Sequence, residues 1–319
     1  MTQHIPTHIL TIDEDSANQR LDRCLMRAFP DLTFSRVGKL LRTGQVRLDG
    51  SRAKGGERLR VGQKVRLPPQ HLLHNENGSK SSPQQGTRPE GPLLNLKPFV
   101  IYEDNQIIAL NKPSGLAVQG GTGIRTSVDS SSGTLRKEGE PRLLLVHRLD
   151  KDTSGLLLLA KTLSAARMLT RAFRSHDVKK TYLAVVVGRP PQESGIISTH
   201  LEKGEHEGRE KMLISVEHEG LLAQTEYTLL GTADEVSLLE LRPLTGRTHQ
   251  LRVHCAHLQC PIVGDGKYGG RAAFPWGKPC GLHLHAKSLY LPEYHDLMVE
   301  APSPPHMEAT FHRLGWYQP

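Results

Sequence analysis

The chain has 319 residues, 37% of them hydrophobic and 23% charged, the balance of a folded soluble protein with room for about two domains. No apolar run approaches the roughly 18 residues of a membrane span. Met1–Leu10 lacks the charged start and apolar stretch of a secretory signal, so a cytoplasmic protein without membrane contact is expected. Four cysteines, Cys24, Cys255, Cys260 and Cys280, have the spacing of neither a disulfide framework nor paired zinc knuckles. The net charge is +8, unevenly placed: Gln19–Leu67 holds 13 lysines and arginines against 4 acidic residues, a local +9 that exceeds the total. That segment is the expected place of contact with nucleic acid.

In chain order, Arg20–Phe29 has the spacing of a short amphipathic helix with Leu21, Leu25 and Ala28 on one face, ended by Pro30. A second helix is predicted from Ser35, as N-cap, to about Thr43, with Gly44 as its stop. Val37, Leu40 and Leu41 form its apolar face; Arg36, Lys39 and Arg42 recur on another. Strands are predicted at Val46–Leu48, after which Asp49-Gly50 signals a turn, and at Val61–Leu67. Pro68 to Leu94 is rich in Pro, Gly, Ser, Asn and Gln and is read as a flexible polar linker, spanning 68–97 as a unit. Beyond it come short β-rich runs at Phe99–Tyr102, Ile107–Leu110, Leu143–Val146, Leu156–Leu159, Tyr182–Val187, Ala223–Leu230 and Val236–Leu241, with a helix at Ser164–Phe173. Strands dominate and no βαβ repeat shows, which predicts an α+β fold on a largely antiparallel mixed sheet.

The most informative stretch is Leu143–Ala160. Two apolar runs flank a loop carrying His147, Arg148, Asp150, Lys151 and Asp152. An arbitrary loop of this kind is a charged hairpin tip. Ionisable groups crowded between two buried strands, however, need partners, and such crowding often marks a site. Thr153, Ser154 and Gly155 fit a tight turn closing the loop, and Asp152 fits a role in capping local backbone amides. The cluster His249, His254, Cys255, His257 and Cys260 lacks tetrahedral ligand spacing, so no metal is expected. Gly120-Gly121-Thr122-Gly123 lacks the Lys-Ser/Thr of a P-loop.

His147-Arg-Leu-Asp-Lys-Asp-Thr-Ser-Gly155 resembles the signature of the RNA pseudouridine synthases of the RluA superfamily. Leu110–Val118, Lys179–Ala184, Gly246–His254, Pro261–Asp265 and Leu282–His285 resemble further segments of that family in the same order. Ser35–Asp49 is similar to an S4 RNA-binding domain. The resemblance implies an S4 domain over 19–67, the linker over 68–97, and a pseudouridine synthase catalytic domain over 98–319.

It also implies roles. Asp150 is the catalytic carboxylate, Arg247 the guanidinium set against it, and Tyr182 the ring on which a flipped uracil stacks. Arg148 takes the space that the base vacates, and Leu251 belongs to the substrate-binding set. Arg36, Lys39, Arg42 and Arg47 of the S4-like segment contact RNA phosphates. No cofactor is implied. The expected partner is large-subunit (23S) ribosomal RNA, with the protein acting as a monomer. Competing readings are the same chemistry on transfer RNA, a non-catalytic RNA-binding or ribosome-assembly factor, and a hydrolase using Asp150 with Asp152.

Overall fold

The leucines and valines of the basic segment are spaced to cover one face each of two short helices, and both faces are buried. In the computed structural model, which describes residues 8–316 apart from 15, 30, 31, 33, 69–91, 122, 207, 208, 216 and 218, these are α1 (Leu21–Ala28) and α2 (Phe34–Arg42). Their core comprises Leu21, Cys24, Leu25, Val37, Leu40 and Leu41 with Val46, just before the first of the strands that follow, and Val65 from a later strand. Ala28, read as part of the apolar face, is exposed at the last helical residue, and Cys24 fills the interior position. Pro30, the side chain of Ser35 and residues 69–91 of the predicted linker lie outside the described residues.

Four strands complete this unit: β1 (His8–Thr11), β2 (Arg47–Leu48), β3 (Ser51–Arg52) and β4 (Lys64–Leu67), in the order β1-β4-β2-β3. Asp49 and Gly50, at φ of 48° and 80°, form the two-residue turn between β2 and β3, as a primed hairpin turn requires. Arg36, Lys39, Arg42 and Arg47 are all exposed.

The chain divides into two compact units, Met1–Arg88 and Pro89–Pro319. The second is built on an 11-stranded sheet. Its strands are β5 (Val100–Glu103), β6 (Ile107–Lys112), β7 (Leu144–Leu145), β8 (Ser154–Ala160), β9 (Lys179–Val187), β10 (Ser194–His206), β11 (Arg209–Ile214), β12 (Leu221–Ala233), β13 (Val236–Pro243), β14 (Leu284–Leu291) and β15 (Leu297–Glu300). The main path runs β11-β10-β12-β13-β9-β14-β8-β6-β5, with β7 added to β8 and β15 to β14. Every pairing is antiparallel except β14 with β8, which makes the sheet mixed and largely antiparallel. Four helices accompany it: α3 (Val128–Ser131), α4 (Leu163–Ser175), α5 (Gln250–His257) and α6 (Pro305–Leu314). The α+β reading therefore holds. Among the described residues no helix is long and apolar enough to cross a membrane.

All seven residues of β8 are buried, which explains its continuous apolar run. Gly155 lets the strand begin where it does. It sits at φ +105°, and a Cβ there would lie 2.2 Å from the carbonyl oxygen of Ala286 on β14. Ser154 and Gly155 thus open the strand rather than close a turn, because the sheet itself comes too near for any side chain. α4 is capped by Thr162, whose hydroxyl accepts the Ala165 N–H at 3.1 Å. Ala165, Leu169 and Ala172 join β6 and β8 in one core.

Among the described residues, three histidines are fully interior. His254 lies between the hydroxyls of Thr199 (3.1 Å) and Thr225 (2.9 Å). His283 lies between the Gly281 carbonyl (2.8 Å) and the Thr310 hydroxyl (2.9 Å). His285 lies between the Ser154 hydroxyl (2.9 Å) and the Ala301 carbonyl (3.3 Å). Burial lowers each pKa to about 4. In the unfolded chain a histidine titrates near 6.5, so between pH 4 and 6.5 the unfolded state binds more protons than the folded one. Stability is therefore complete above about pH 6.5 and falls as the pH drops through that window. The expected slope approaches about 4 kcal/mol per pH unit when all three take up a proton on unfolding. Denaturant midpoints at pH 7.5, 6 and 5 measure it, and a flat profile would contradict the neutral assignment.

Candidate active site

The charged loop between β7 and β8 is held from several sides. His147 is not a solvated tip: its Nε2 accepts the Leu158 N–H at 2.9 Å and its ring stacks on Phe173 at 4.2 Å. Burial drives its pKa down to about 3, so it is a neutral structural acceptor. Leu149 is buried, and the Thr153 N–H donates to the Asp150 carbonyl at 3.2 Å, which puts the turn at Asp150–Thr153. Beneath lies Lys112, only 1% exposed. Its ammonium donates to the carbonyls of Pro113 (2.9 Å), Leu116 (2.8 Å) and Lys151 (3.0 Å). Burial lowers its pKa to about 8, against the opposing charges of Asp152 and Asp150.

The Ser114 hydroxyl adds a bond to the Asp152 carbonyl at 2.7 Å, and the Gly115 N–H one to the Lys151 carbonyl at 3.0 Å. It is the Asp152 backbone, not its exposed carboxylate, that secures the loop. Among the described residues that carboxylate accepts no hydrogen bond, so its expected amide-capping role is absent.

The loop borders a cleft of about 510 Å³. That volume is within the range of small-ligand pockets. Asp150, Arg148, Tyr182, Arg247 and Leu251 all line it, brought together from the loop, from β9, from the approach to α5 and from α5 itself. Among the lining residues Asp150 is the one carboxylate, facing five cationic side chains: Arg148, Arg174, Lys180, Arg247 and Arg252. Asp152 does not line the cleft, which removes the geometric basis for a two-carboxylate hydrolase. Tyr182 is half-buried, and its hydroxyl is kept protonated first by burial and then by the negative charge of Asp150. Arg36, Lys39, Arg42 and Arg47 belong to the N-terminal unit.

The guanidinium expected against Asp150 shares the cleft with it and has a protein partner of its own. Arg247 lines the cleft, but its Nε donates to the Leu222 carbonyl at 3.0 Å, and among the described residues no ion pair joins it to Asp150. Its backbone is fixed instead by Gln250, whose Oε1 accepts the Arg247 N–H at 3.0 Å. Besides Tyr182, groups that feel the Asp150 charge include Arg252, His249, Lys267, Tyr268 and Lys112. Arg252 is 7% exposed and bound at two points by the buried Asp265, at 2.8 and 2.7 Å. His249 Nε2 lies 3.9 Å from Asp150 Oδ2.

Arg252, His249 and Lys112 are the site residues that the sequence reading missed. All three stand inside segments that carry the family resemblance, and a one-dimensional pattern does not say which of two arginines five residues apart turns inward.

Replacing Lys112 by methionine keeps the side chain's shape and deletes three hydrogen bonds to loop carbonyls. Amide exchange at Gly115 and Thr153 is expected to speed up by about tenfold or more. Unchanged protection at both amides would contradict the clamp.

The family profile described as RNA pseudouridylate synthase matches residues 106–257. Ribosomal large subunit pseudouridine synthase C of Rickettsia felis is 39% identical over 287 residues, covering 86% of this chain and 89% of that protein. The protein of the same name from Vibrio cholerae is 34% identical over 311 residues, covering 96% of each. Among solved structures, human RNA pseudouridylate synthase domain containing 4 is 28% identical with a TM-score of 0.59, covering 70% of this chain and 95% of that one. The chain belongs to the RNA pseudouridylate synthase family.

Proposed function

We propose that this protein converts specific uridines of large-subunit ribosomal RNA to pseudouridine, with Asp150 as the catalytic carboxylate. The carrying observation is a cleft lined by one carboxylate and one tyrosine together with five cationic side chains. Isomerisation breaks the bond from ribose C1′ to uracil N1, turns the detached base, joins C5 to C1′ and releases the C5 proton. Atoms and oxidation level are conserved. A carboxylate near C1′ serves this reaction as nucleophile or base.

A base inside folded RNA must be everted before its sugar is reachable. Tyr182 offers a ring for stacking, which contributes about 1–3 kcal/mol. The cationic side chains of the cleft, Arg148, Arg247 and Arg252 among them, suit the flanking phosphates. The outer face of α4 extends this surface: Arg167, Arg171 and Arg174 recur at helical spacing, all exposed, with no ion pair among the described residues. The ribosomal target is supported by the names of the relatives.

The N-terminal unit is read as an S4-type RNA-binding module, residues 19–67, joined by 68–97 to the catalytic domain, 98–319. Its exposed Lys39 and Arg42 on α2, over the buried Val37, Leu40 and Leu41, support that reading.

Asp150→Asn preserves shape and removes the charge. Modification of ribosomal RNA is expected to fall by about a thousandfold or more, with no uracil released. Persistent pseudouridine in that variant would refute the carboxylate's role, and free uracil from the parent enzyme would indicate a hydrolase. For the N-terminal unit, Lys39→Gln combined with Arg42→Gln should weaken RNA binding. The slope of log affinity against log salt should fall by roughly 1.5, since each lost phosphate contact removes about 0.7–0.9. An unchanged slope would exclude these two side chains from the interface.

A further inference from the structure

His249 stands at the start of α5 in a left-handed conformation, φ 53°, unusual for a residue with a side chain. That backbone turns its ring so that each nitrogen has a different neighbour. Nδ1 lies 2.7 Å from the Tyr268 hydroxyl, and Nε2 lies 3.9 Å from Asp150 Oδ2. The Tyr268 oxygen already accepts the Met212 N–H at 3.2 Å. Its single proton is therefore free to be donated, and Nδ1 is the acceptor within reach. An imidazole that accepts at Nδ1 carries its proton on Nε2.

Tyr268 is in turn well fixed. Its N–H donates to Asp265 at 3.2 Å, the same carboxylate that binds Arg252, and Arg252 lies over its ring at 5.1 Å. With Nδ1 as acceptor, the chain Met212, Tyr268, His249 ends in an Nε2–H on the side of Asp150 Oδ2.

We propose that His249 is a positioning residue for the reaction, its tautomer set by Tyr268, and that it engages Oδ2 of Asp150 so that Oδ1 faces the ribose. The inference rests on Asp150 being the catalytic carboxylate. At 3.9 Å the pair is longer than a hydrogen bond, and a shift of about 1 Å in the Asp150 side chain on substrate binding closes it. Tyr268 stands between Met212 and His249 in this chain and sets the tautomer of His249.

Two substitutions separate positioning from packing. Asparagine adopts the left-handed backbone readily and keeps a group near Tyr268, but it reaches no further; glutamine places an N–H where Nε2 was. In the full-length enzyme under multiple turnover, His249→Asn is expected to lower kcat by roughly 10- to 100-fold, with KM within about threefold of the parent. His249→Gln should recover most of that loss. Tyr268→Phe should lower kcat in the parent and have little further effect beside His249→Gln, since glutamine makes no use of the tautomer.

Asp150→Asn is measured alongside. If it retains activity, the catalytic reading itself fails. If it is inactive while His249→Asn matches the parent in kcat, or changes KM alone, the positioning role is overturned and the reading of Asp150 stands. Equal losses in the asparagine and glutamine variants, with parental thermal midpoints, would also overturn it.

Discussion

A lysine ammonium buried under a loop is the constraint on which the site depends. Lys112 is taken out of water at the end of β6 and compensated by three backbone carbonyls, one of them from Lys151, next to Asp150. A buried charge of this kind tolerates little displacement, because each lost carbonyl leaves it less solvated. From the other side, the absent side chain of Gly155 lets β8 come against β14 directly after the loop. Between these two fixed points the chain has few residues in which to move, and Asp150 is presented to the cleft by the backbone as much as by its own side chain.

Charge follows from this placement. One carboxylate in a cleft of cationic side chains is a poor arrangement for a stable core and a good one for receiving a polyanion. The buried pair of Arg252 with Asp265 shows how the protein keeps a guanidinium at the cleft without leaving it unpaired. Arg247, restrained by the Leu222 carbonyl, and the exposed Arg148 occupy the cleft on different terms, one tethered to protein and one free to follow the substrate.

Much of this was legible in the sequence, and the failures have physical causes. The run Leu156–Leu159 reads as buried because it is apolar throughout, and β8 is buried at every position. β14 escaped notice because His285 and Lys287 interrupt its apolar pattern, yet His285 is satisfied by Ser154 and Ala301, which are remote in sequence. α5 was missed for a related reason: Gln250, Arg252 and His254 are interior polar residues whose partners lie on β12 or at Asp265, so no amphipathic period survives. Asp150, Tyr182, Arg148 and Leu251 could be named from motifs alone, and the cleft does bring them together. Their spacing and partners are properties of the sheet and of Lys112.

The most direct test is a structure of the full-length Asp150→Asn variant bound to a ribosomal RNA hairpin containing its target. The account predicts an everted uracil stacked on Tyr182, with ribose C1′ within about 3.5 Å of the side chain at position 150. A target base left in the RNA stack, or everted into a site away from Tyr182 and position 150, would contradict it.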